Sequence, residues 1–109
     1  MATSYKVLGQ QYPSAATATT LYTVPSATNT VVSTISVANQ SGTADAIRIA
    51  IRPAGATLAS SQYIAYNLQV GGFGMSTITA GITLAATDVV TIYSGTANLS
   101  FSLFGSEIS

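Results

Sequence analysis

The sequence predicts an all-β fold: a single antiparallel β-sandwich or small barrel of about eight short strands. Three observations predict it. Apolar residues recur with a period of two rather than 3.6. Clusters of Gly, Pro, Asn, Asp and Ser interrupt the pattern every 8–12 residues or so. No segment shows a helical cap followed by helical periodicity, and the one Ala-rich stretch, SAATATT (14–20), is too dense in Thr and Ser to favour a helix.

The elements follow in chain order. YKVL (5–8) and TTLYTVP (19–25) are short candidate strands, the second stopped by Pro25. VVSTISVAN (31–39) sets Val31, Ile35 and Val37 on one side, with Ser33 breaking the apolar face. AIRIAIRP (46–53) alternates Ile47, Ile49 and Ile51 with Ala46, Arg48, Ala50 and Arg52, and Pro53 ends it because proline cannot donate to a ladder. QYIAYNLQV (62–70) sets Ile64, Tyr66, Leu68 and Val70 on one side, and GMSTITAGITL (74–84) holds one or two more strands. DVVTIYS (88–94) is apolar on both faces near its middle, as a central strand would be. LSFSLFG (99–105) is the cleanest case, with Leu99, Phe101 and Leu103 opposite Ser100 and Ser102. The 109 residues form one domain, in which residues 1–20 are a candidate extended N-terminal arm plus the first strand.

Composition narrows the function. Hydrophobic residues make up 48% of the chain and charged residues 6%, with zero formal net charge. The polar surface must therefore come from Ser and Thr. Nucleic-acid binding needs clustered cations, so no nucleic-acid partner is expected. Every apolar run is interrupted too early to span a bilayer as a helix, so no membrane association is expected. Near-zero net charge favours association with other protein. The N-terminus MATSYKVLGQ shows no charged-then-apolar pattern, so synthesis in a cytoplasm is expected.

The chain has no His and no Cys. That removes Ser-His and Cys-His nucleophile pairs, thiolate zinc sites and a histidine proton shuttle. The three carboxylates, Asp45, Asp88 and Glu107, are far apart in sequence, which disfavours a glycosidase pair. NQSGTAD (39–45) lacks the dense acidic spacing of a calcium loop, and VGGFG (70–74) lacks the Lys-Ser/Thr of a phosphate loop. The expectation is a protein with no catalytic residues, no metal and no cofactor. NQS at Asn39 and NLS at Asn98 match the glycosylation sequon by chance in so Ser-rich a chain.

The remaining candidates are contact residues. Arg48 and Arg52 lie four apart on one strand face, about 13 Å from each other. They are either solvated edge charges or partners for a neighbour's carboxylates. Lys6 is the other cation. Tyr5 and Tyr12 belong to a stock of six tyrosines, a residue type enriched at interfaces. Phe104 sits on the serine side of its strand, where an apolar ring signals an interface. The candidate interface set is Arg48, Arg52, Phe104, Tyr5, Lys6 and Tyr12.

Taken in order, YKVLGQ, LYTVPSATNTVVSTISVANQSG, IRIAIRPAGA, QYIAY and GITLAATDVVTIYSGTANLSFSLFGSEI resemble a family of small virion structural proteins of tailed bacteriophages, particularly cyanophages. The resemblance runs through nearly the whole chain. It implies a β-rich accessory part of the particle, present in many copies, with no catalytic residues to carry over. The expected role is a capsid decoration, or cement, protein that binds the major capsid protein as a homo-oligomer, a trimer by expectation. The alternatives are a neck, tail or fibre-adaptor component, or a carbohydrate-binding attachment module. The expected location is the virion, after synthesis in the host bacterial cytoplasm.

Overall fold

The computed structural model describes residues 2–79 and 81–109. Among the described residues there are nine strands: β1 (Thr3–Gln11), β2 (Thr19–Thr23), β3 (Asn29–Asn39), β4 (Asp45–Arg52), β5 (Tyr63–Val70), β6 (Met75–Ile78), β7 (Ile82–Leu84), β8 (Val89–Ser94) and β9 (Leu99–Ile108). They form two antiparallel sheets packed face to face. One is ordered β1-β9-β3-β6, with β7 also pairing β3; the other is ordered β2-β8-β4-β5. Single 3-10 turns at Pro53–Gly55 and Ser60–Gln62 fill the connection from β4 to β5. Among the described residues, no helix is long and apolar enough to cross a membrane.

Both sheets contribute to the core. Val32, Ile35, Val37, Leu99, Phe101 and Leu103 enter from the larger sheet. Ile47, Ile49, Val70, Val90 and Ile92 enter from the smaller one. Each such side chain contributes about 1.5–3 kcal/mol by leaving water. β8 lies between β2 and β4 and is buried at five of its six positions, as its two-sided apolar pattern predicts. Pro25 follows β2, and Pro53 ends β4 by opening the first 3-10 turn.

Two strands differ from the alternation predicted for them, for one physical reason. In β3, the register against β9 slips between Val32 and Thr34, where Ser33 is the extra residue of a β-bulge. A bulge reverses the facing of everything before it. Val31 is therefore exposed and Val32 buried, not the reverse. In β5, the register against β4 slips twice, leaving Asn67 and Ile64 unpaired. Asn67 takes the extra position with φ 56, a left-handed conformation that Asn tolerates. The residues of β5 that reach the core are Ala65, Leu68 and Val70; Ile64 and Tyr66 face out. The region 74–84 resolves into two strands, which raises the count to nine. β1 is longer than YKVL alone, and Thr3–Gln11 of the candidate arm is paired along β9.

Candidate interaction surfaces

All three carboxylates are engaged in holding the fold. Asp45, at the start of β4, accepts hydrogen bonds from the Thr96 amide at 2.9 Å, the Thr96 hydroxyl at 3.0 Å and the Ala46 amide at 2.8 Å. Asp88 accepts from the Ala54 amide at 2.8 Å and the Ala85 amide at 2.9 Å. The two aspartates thus clamp the turns at opposite ends of the β4–β8 ladder. In the turn expected to be a poor calcium loop, Asn39 is buried. It donates to the Thr43 and Val70 carbonyls and accepts from the Ser41 amide, so the backbone of the turn and of β5 engages it. Among the described residues, no group of three or more acidic, His or Cys side chains gathers.

Glu107 ties the two sheets together. It forms an ion pair with Lys6 of β1 at 2.6 Å and accepts the Tyr22 hydroxyl of β2. The same hydroxyl lies 2.9 Å from Thr30 Oγ1 of β3. The Glu107 side chain is only 14% exposed. Lys6, then Tyr22, hold its carboxyl below the usual carboxylate range. Burial, then Glu107, push the Tyr22 phenol from 10.0 up to about 12. The signs give opposite limbs. The Glu107 contribution is present above the usual carboxylate pKa and is lost as the pH falls through its depressed value. The Tyr22 contribution is fully present below pH 10.0 and is lost as the pH rises through about 12. In a series of melting temperatures against pH, Glu107→Gln is expected to flatten the acid limb and Tyr22→Phe the alkaline one. An unchanged acid slope in Glu107→Gln would remove this carboxylate from the account.

Arg48 and Arg52 are partly exposed, and among the described residues neither pairs with a carboxylate. Arg48 crosses the outer face of the smaller sheet between two rings, 4.3 Å from the Tyr66 centroid and 4.5 Å from that of Tyr93. Those residues are its register partners on β5 and β8. Its Nε donates to Asn67 Oδ1 at 3.0 Å, and Tyr63 packs edge-on against Tyr66. Such stacking favours a guanidinium, which is planar and weakly hydrated. Arg52 donates to the Ala56 carbonyl at 2.7 Å and the Gly55 carbonyl at 3.0 Å, which staples the turn after β4.

The larger sheet presents a different outer face. Its register assembles four cross-strand rows: Tyr5, Ser106, Val31 and Thr83; then Val7, Phe104 and Thr34; then Gln10, Ser102, Ser36 and Thr77; then Ser100, Ala38 and Met75. None of these side chains is charged. Tyr5 is 84% exposed, Met75 69% and Val7 50%, while Phe104 is half-buried between Val7 and Thr34. The structure therefore brings Tyr5 and Phe104 onto one face. Lys6 points to the other side of β1, and Arg48 and Arg52 lie on the opposite sheet. Tyr12 is exposed beside a shallow depression of about 380 Å³ lined by Gln10, Gln11, Ser100, Phe101 and Ser102. Val7, Val31 and Met75 join the face without having been singled out in sequence. Val31 was hidden by the bulge at Ser33, and Met75 lies on a four-residue strand too short to show alternation.

Fold and surfaces together define a small all-β sandwich whose acids and bases are spent on internal ties, and whose larger sheet carries an uncharged, partly apolar outer face. No protein-family model matches the chain, and no curated protein matches it.

Proposed function

We propose that the chain is a non-enzymatic structural protein of a bacteriophage virion, a capsid decoration protein that binds the major capsid protein through the outer face of its larger sheet. The observation that carries the reading is that face, with Tyr5, Val7, Phe104, Val31 and Met75 set among Ser and Thr without one charge. Burying such a face removes apolar area from water and desolvates no ion, which is what a docking surface needs. The resemblance of the ordered phrases to small phage virion proteins supports the same reading. A homo-oligomer, with a trimer as the expected form, multiplies the buried area per binding event. The engaged state of Asp45, Asp88 and Glu107 supports a role without chemistry. The stacking of Arg48 on Tyr66 tells against that tyrosine serving as a carbohydrate platform.

Quantitation of the protein in purified particles tests the location. A copy number comparable with that of the major capsid protein is expected; a small fraction of it would turn the reading to a neck, tail or fibre adaptor. Binding to particles stripped of the protein tests the face. Val7→Lys is expected to weaken it about tenfold or more, because a desolvated, unpaired charge costs upward of about 1.4 kcal/mol. Arg48→Ser, on the opposite sheet, is expected to leave it unchanged. Equal binding by wild type and Val7→Lys would sink the assignment of this face.

A further inference from the structure

The core holds the terminal strand β1 only weakly. None of its residues from Thr3 to Gln11 is buried, and Leu8 alone packs partly against the core. Its attachment is nevertheless long. It pairs with β9 from Thr3 opposite Ile108 to Gln11 opposite Phe101, and Lys6 meets Glu107. The strand is thus held mainly by a backbone ladder, the Lys6–Glu107 ion pair and a Gln10–Ser102 hydrogen bond of 3.3 Å, all to β9, with Gly9 also lying close against the Leu21 backbone of β2. Contacts of that kind are reproduced without change when the same strand arrives from another copy of the chain.

The connection behind β1 suits such a departure. Tyr12 precedes Pro13, which biases it to extended backbone. Pro13 is buried and stays with the body. Three residues on, Ala16 has φ 51 and is held by its amide to the Ser94 carbonyl at 2.8 Å. A left-handed alanine costs about 1–2 kcal/mol. A strained connection beside a terminal element invites exchange. Zero net charge leaves no long-range repulsion to keep copies apart.

We propose that β1 is exchanged between copies of this chain. The β1 of one copy lies on β9 of the next in the register seen here, and Lys6 pairs with the partner subunit's Glu107. Reciprocal exchange closes a dimer, and head-to-tail exchange closes a ring. The inference concerns this chain alone and holds whether or not its partner is a capsid.

The absence of native cysteine makes the test direct. Tyr5 and Ser106 are opposite each other across β1 and β9, both on the outer face. A Tyr5→Cys chain is unfolded, refolded at high concentration together with a Ser106→Cys chain, and oxidised. Neither chain can close a disulfide within itself. A bond between the two variants is favoured when β1 of one lies on β9 of the other, and random contact between exposed cysteines sets the background. The expected result on a non-reducing gel is a heterodimer yield about tenfold above that of the off-register pair Tyr5→Cys with Ser100→Cys, because disulfide geometry tolerates little misplacement. Equal yields from the two pairs overturn the proposal. So does a Tyr5→Cys/Ser106→Cys double variant that closes only within single chains at every concentration. Val7→Cys with Phe104→Cys, opposite each other on the same ladder, repeats the experiment should either first variant fail to fold.

Discussion

Phe101→Ala is expected to cost the domain about 3–5 kcal/mol, which is the range for emptying a buried phenylalanine site. Phe101 is fully buried, heads the largest core side chains and lies on β9 between β1 and β3. Its ring fills the space between the sheets where Ile35, Val37, Ile49 and Ile92 also converge on one cluster. A domain of this size has a net stability of about 5–15 kcal/mol, so the loss would take a large share of it. Urea titration followed by circular dichroism gives the measurement, with a lower midpoint and a near-constant slope expected. Phe104→Ala, on the outer side of the same strand, is the contrast; it is expected to cost under about 1 kcal/mol. Similar losses from the two would mean that β9 does not face the core as described.

Gly105→Val is expected to be the other severe change. A side chain built on Gly105 would run into the Val31 carbonyl oxygen, with the Val32 Cα at 3.0 Å and the Val31 carbonyl carbon at 3.1 Å. These are backbone atoms of the adjacent strand, so no rotamer change makes room. The position lies beside the Ser33 bulge, where β3 accommodates its extra residue against β9. Overpacking a close-packed site costs about 1–3 kcal/mol, and here the strand register that brings Glu107 opposite Thr30 would be strained as well. A fall in melting temperature of roughly 4–8 °C per kcal/mol is expected for a domain near this size. Gly71→Ala, where an added carbon meets nothing within 4 Å, is expected to be close to neutral. A Gly105→Val protein that melts with the wild type would show that β3 and β9 can part at this point without penalty.

These two positions also mark what the sequence makes legible. Phe101 is readable because Leu99, Phe101 and Leu103 alternate with serines and the strand runs that far without a slip. β4 is readable for the same reason, and β8 because its apolar residues fall on both faces, as a central strand's do. The apolar side of β3 is not, because a bulge adds one residue without changing composition, and Ser33 looks like any other exposed serine. β5 fails twice over. The one local cue is Asn67, a residue type that tolerates a left-handed conformation, placed inside an otherwise regular strand. Arg48 and Arg52 are readable as outward-facing, but their partners are not. Tyr93 reaches Arg48 only through the β4–β8 register, and Arg52 turns back on a loop that has no periodicity. The tie from Glu107 to Tyr22 spans 85 residues and crosses from one sheet to the other, a relation that no local pattern encodes.

The placement of the basic residues bears on how the protein survives digestion. Trypsin cuts after Lys and Arg but not before proline, which removes the Arg52–Pro53 bond from its targets. The bond after Arg48 lies mid-strand in β4, flanked on both sides by β8 and β5, and its side chain is pinned between two tyrosines. That leaves the bond after Lys6, in the weakly packed first strand. A folded copy therefore offers trypsin little more than its first six residues. Even complete digestion of the unfolded chain yields mainly two very long fragments, so peptide-based mass spectrometry with this protease undercounts the protein.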